Sequence, residues 1–106
     1  MTIYLLNSPV LTDYGEWKYE GPLSLQQARQ KLDSKFESAI GHAAAAEMLS
    51  TLLQLPVPVK RQSIKMNVDD QALVFRILRR LEEGQLLSRS ELEQIPFELG
   101  WLVRTK

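Results

Sequence analysis

The chain carries a single histidine, in the run Ser38-Ala39-Ile40-Gly41-His42-Ala43. An apolar stretch passes through a glycine into an alanine-rich helix. Glycine permits a tight turn and close approach of another group to the backbone. The first amides of a helix lack intrahelical partners and carry the positive end of its dipole, so the junction is an anion site of the kind that holds phosphate. A histidine there is placed to hand a proton to a phosphate ester's leaving oxygen. The same residue also fits as an ordinary helix-starting or core histidine.

Two further groups could do chemistry. Lys60, Arg61, Lys65, Arg76, Arg79 and Arg80 put six positive charges into 21 residues, opposed there by Asp69 and Asp70. They read either as a solvated sheet face or as a groove gripping phosphates through guanidinium forks. Arg76 is unusual inside an apolar run, where a charge must be exposed or paired. The string Arg80-Leu81-Glu82-Glu83-Gly84 then offers an arginine to neutralise a phosphate and a glutamate to orient it, or else a surface turn.

The elements that must position these groups follow from pattern. Residues 2–6, TIYLL, read as a buried strand running into the turn Asn7-Ser8-Pro9. Residues 14–20 alternate as a second strand, stopped by Gly21-Pro22. Ser24 with Gln27 forms a capping box opening a helix of about three turns. Residues 36–40 suit a short strand, and 42–54 are the strongest helix, closed by Pro56 and Pro58. Residues 61–66 and 72–79 read as strands around the turn 67–70, though 72–79 also admits a helix. Ser88 and Glu91 mark a short helix ending before Pro96. Residues 97–104 alternate as a last strand, with Phe97, Leu99, Trp101 and Val103 on one face. The expectation is one α+β domain over residues 1–106, with a central mixed sheet of five or six strands and about three helices.

Composition narrows the function classes. The 106 residues hold 13 Lys plus Arg and 13 Asp plus Glu, so net charge is zero and indiscriminate duplex binding is disfavoured. One histidine and no cysteine exclude, within one chain, a multi-histidine zinc site, thiolate ligands, a cysteine nucleophile and a two-histidine acid–base pair. No cofactor is called for: there is no P-loop or dinucleotide fingerprint. No stretch approaches a membrane span or a signal peptide, so a cytoplasmic protein is expected.

The runs YLLNSPVL, SAIGHAAAAEMLS, VKRQSIKM and ALVFRILRRLEEGQLLSRSEL resemble the viral ring-nuclease family of type III anti-CRISPR proteins. The most specific pieces are Ile40-Gly41-His42 and Arg80-Leu81-Glu82-Glu83-Gly84, in family order and spacing. The resemblance implies a homodimer that binds cyclic tetra-adenylate, the second messenger of type III CRISPR defence. It implies metal-independent cleavage to linear di-adenylates. On it His42, Arg80 and Glu83 match the catalytic residues; Asn7, Gly41, Arg61, Ile64 and Arg76 fall at ligand-binding positions.

Departures are visible. Some archaeal viral members carry Asp, Ser and Thr after the Gly-His, where this chain has Ala43, Ala44 and Ala45, and Gln where it has Arg76. Side-chain hydroxyl contacts are lost there, while backbone amides remain. The competing reading is a non-catalytic nucleotide or nucleic-acid binding regulator using Arg61, Lys65, Arg76 and Arg79.

Overall fold

The computed structural model describes residues 2–32, 35–78, 90–91 and 94–106. Its elements are β1 (Ile3–Leu6), β2 (Trp17–Glu20), α1 (Leu25–Lys31), β3 (Glu37–Ser38), α2 (Ala43–Leu53), β4 (Gln71–Ile77) and β5 (Phe97–Arg104). They build one five-stranded mixed sheet in the order β2-β5-β4-β1-β3. β1 pairs parallel with both β3 and β4, while β5 runs antiparallel to β4 and β2. This is the α+β class expected from the pattern.

Alternation assigns the two faces. Ile3, Leu5, Leu73, Phe75, Leu99 and Trp101 point to the side on which α1 and α2 lie, joining Ala28, Ala45, Met48 and Leu49 in one core. Tyr4, Leu6, Ala72, Val74 and Leu102 point the other way, onto Met66 and Ile64. Phe75, Leu5 and Leu49 are fully enclosed, and each such side chain contributes roughly 1.5–3 kcal/mol. Small side chains let α2 lie close to the sheet, and Ala44, Ala45 and Ala46 are all buried. A left-handed Gln54 ends that helix before Pro56.

α1 keeps its capping box, Ser24 Oγ accepting from the Gln27 amide at 3.1 Å and Gln27 Oε1 from the Ser24 amide at 2.9 Å. It spans seven residues, about two turns rather than three. The strand expected at 36–40 is reduced to Glu37–Ser38. The strand expected at 61–66 does not form. Pro56 and Pro58 remove donors just before it, and the segment is held by single bonds instead. The Lys60 amide donates to the Ile40 carbonyl at 2.9 Å, and the Met66 amide to Thr12 Oγ1 at 3.0 Å. The short helix expected from Ser88 lies mostly outside the described residues, with Ser90 and Glu91 helical. Among the described residues no helix is long and apolar enough to cross a membrane.

Candidate functional site

Because β1, β3 and β4 are parallel, their carboxyl ends share one edge of the sheet. Open α/β sheets bind ligands outside that edge. β1 delivers Asn7 to it, and β3 delivers Ala39 through Gly41 to His42, which opens α2. β4 ends there at Ile77. Arg80 and Glu83, expected just beyond, lie outside the described residues, as does Arg79.

His42 is the N-cap of α2, with φ −121° and ψ 121° and no side-chain capping bond. Its carbonyl accepts from the Ala46 amide, while its side chain leaves the earlier amides of the helix uncapped. Both imidazole nitrogens are buried and have no hydrogen-bond partner among the described residues. Leaving a buried donor or acceptor unsatisfied costs about 1–3 kcal/mol each. Such orphans call for a specific explanation, a catalytic role among them.

Arg61 reaches the same junction. Its Nη2 donates to the Gly41 carbonyl at 3.3 Å. A β-carbon on residue 41 would stand 3.1 Å from Arg61 Nε and 3.2 Å from its Cγ. Gly41 is therefore what lets the arginine stem lie along the backbone next to His42. The segment carrying Arg61 is pinned to β3: Ser38 Oγ donates to the Pro58 carbonyl, and Gln62 Nε2 to the Ser38 carbonyl, each at 2.7 Å.

On the sheet face opposite the helices lies a cleft of about 370 Å³. Asn7 and Ile64 both line it, together with Ala39 and Gln62, and among the described residues none that lines it is ionisable. Ala39 is three residues before His42, a chain reach of at most about 11 Å. Cleft and junction are thus neighbouring parts of one edge: Asn7 and Ile64 in the first, Gly41, His42 and Arg61 in the second. Gln62, Ser63 and Thr12 also line the cleft. Their types alone give no signal; their place follows from tertiary bonds.

Arg76 stands on the cleft's face of β4 but is exposed and pairs with Glu98 across the strands, Nη1 to Oε2 at 3.6 Å. Lys65 lies 3.6 Å from Asp13 Oδ2. The Asp13 carboxyl is held below its ordinary value chiefly by the Tyr14 backbone N–H; desolvation, the next largest effect, opposes this, and the charges of Lys65 and Arg104 add to the lowering. Arg104 fastens the surrounding loops, donating to the carbonyls of Met66 at 2.8 Å and Tyr14 at 3.1 Å.

The family model described as STIV B116-like matches residues 3–99. An uncharacterised ORF117 protein of Acidianus two-tailed virus is 37% identical over 113 residues, covering 100% of this chain and 96% of its own. Protein 26 of a Sulfolobus islandicus filamentous virus is 33% identical, covering 94% of this chain and 88% of its own. YddF of Bacillus subtilis is 31% identical, covering 98% of each. Among solved structures, B116 of Sulfolobus turreted icosahedral virus superposes with a TM-score of 0.80 at 24% identity, over 98% of this chain and 100% of its own. That likeness speaks for the fold.

Proposed function

The chain belongs to the STIV B116-like family, and from that membership together with the His42 junction we propose that it is a metal-independent ring nuclease. Its substrate is cyclic tetra-adenylate and its products are linear di-adenylates, so that it counters or switches off type III CRISPR defence in the cytoplasm. The observation that carries this reading is His42: a half-buried residue whose two imidazole nitrogens are buried and, among the described residues, unpartnered, at the start of α2 and beside Arg61 on Gly41.

The chemistry uses the substrate's own nucleophile. The ribose 2′-oxygen attacks the adjacent phosphorus and loses its proton to water. The bond from phosphorus to the 5′-oxygen breaks, and His42 protonates that oxygen as it leaves. The product ends are a 2′,3′-cyclic phosphate and a 5′-hydroxyl. The uncapped amides of α2 and Arg61 hold the phosphate oxygens. Arg80 neutralises the charge that develops on them, and Glu83 orients Arg80. A homodimer presents two such acids to a ring with its own two-fold symmetry, and two cuts give equal halves.

The regulator reading draws on Lys65 and Arg76, yet these face Asp13 and Glu98 at ion-pair distance. Incubation of the protein with cyclic tetra-adenylate in EDTA separates the two. Di-adenylate accumulation is expected; intact ligand after long exposure to excess protein would contradict the proposal, and steeply salt-dependent duplex affinity would favour the regulator.

A further inference from the structure

We propose that Gln62 is a specificity-determining residue that reads the amino edge of an adenine base seated in the cleft. The identity of the whole ligand rests on the ring-nuclease reading; the base-reading role rests on the cleft itself. Among the described residues that line it none is ionisable, so these walls offer polar amides and hydroxyls and apolar surface rather than a counter-charge for a phosphate. The cationic Arg61 and the α2 amides stand outside that lining, at the neighbouring junction. The cleft therefore suits the uncharged part of a nucleotide. Leu6, Ala39 and Ile64 offer apolar surface for a flat ring, and Asn7 and Gln62 offer carboxamides for its edge. Its volume of about 370 Å³ falls within the range of small-molecule sites.

The Gln62 carboxamide is not free to choose its orientation. Its Nε2 donates to the main-chain carbonyl of Ser38, a residue 4% exposed, at 2.7 Å. A carbonyl only accepts, so one N–H of Nε2 is committed to Ser38, which fixes the orientation of the amide and leaves Oε1 as an acceptor. An acceptor fixed in this way matches the 6-amino group of adenine. Against the 6-oxo group of hypoxanthine or guanine it sets oxygen against oxygen. Turning the amide over to serve those bases would sacrifice the bond to Ser38 and orphan a carbonyl at a buried residue. Sites built to pair a hydrogen-bonding group reject analogues most strongly for this reason.

Two readouts test the assignment. In competition between cyclic tetra-adenylate and cyclic tetra-inosinate, the wild-type protein should favour the adenylate, and Gln62→Met should reduce the kcat/KM ratio ~10-fold or more, as expected for loss of one specific base contact. An unchanged ratio in a folded Gln62→Met protein would overturn the proposal. Independently of turnover, the side-chain amide resonance of Gln62 in ¹⁵N-labelled wild-type protein should shift with AMP at lower concentration than with IMP. An equal response to both would overturn it. If the wild-type protein leaves cyclic tetra-adenylate intact but its Gln62 amide still distinguishes AMP from IMP, the ring-nuclease reading fails and the base-reading role stands. Cleavage with an undiminished ratio in the variant gives the reverse.

Discussion

Arg61 and Gly41 meet because glycine has no β-carbon to hold the guanidinium stem away. In Gly41→Ala the new methyl would lie 3.1 Å from Arg61 Nε, and the flexible arginine must yield. Residue 41 is not in the left-handed region, so the backbone accepts alanine. Thermal melts of the variant should stay within a few degrees of wild type, while KM for cyclic tetra-adenylate rises several-fold as Arg61 leaves the junction. An unchanged KM would remove Arg61 from the binding site. Arg80→Ala acts differently, because it removes charge stabilisation from the transition state: kcat should fall by the equivalent of about 3–4 kcal/mol, with a smaller effect on binding, and Glu83→Ala in the same direction. Two variants with wild-type kcat would contradict those roles. Gly41 and His42 were legible as a junction from glycine followed by helix. Asn7 and Ile64 came from family resemblance, and they do meet in one cleft. Gln62 was not legible, since its orientation depends on a carbonyl 24 residues away in sequence.

At the scale of elements, local pattern succeeded where one face is buried and failed where prolines intervene. Residues 72–79 admitted helix or strand by periodicity; pairing with β1 and β5 makes Gln71–Ile77 a strand, with Arg76 turned to solvent opposite Glu98. Residues 61–66 have strand-like alternation, Ile64 and Met66 do pack on the sheet, but their backbone joins no ladder. The interior strand β1 carries a measurable consequence. Burial, then the negative charges of Asp70 and Glu37, hold the Tyr4 phenol above its ordinary 10.0, against a small opposite pull from the Thr2 side chain. The unfolded chain ionises at the ordinary value and the folded one later. The neutral phenol's stabilising contribution is therefore intact below 10.0 and is lost as pH rises through the raised folded value. Denaturation midpoints should decline on that alkaline limb in wild type, and the decline should be shallower in Tyr4→Phe. Parallel curves for the two proteins would contradict this placement.

Across the whole molecule, three parallel strands bring their carboxyl ends to one edge, and the return of β5 lets Arg104 tie the loops around the cleft. The sheet class was readable because β1 and β4 are apolar runs bounded by turn residues and β5 alternates; the cleft was not, because it is made where irregular segments meet. One chain supplies one imidazole, so the proposed two cuts require two chains. Light scattering should return a dimer at micromolar concentration, and a monomer whose specific activity is unchanged by dilution would contradict the shared site. The proposed general acid is His42, and single-turnover cleavage of cyclic tetra-adenylate in EDTA by wild type and His42→Ala tests that role most directly. The backbone amides of α2 survive the truncation. The variant should fold, bind the ring nearly as wild type and cleave it ~10²–10⁴-fold more slowly. A folded His42→Ala protein that cleaves at the wild-type rate would contradict the account.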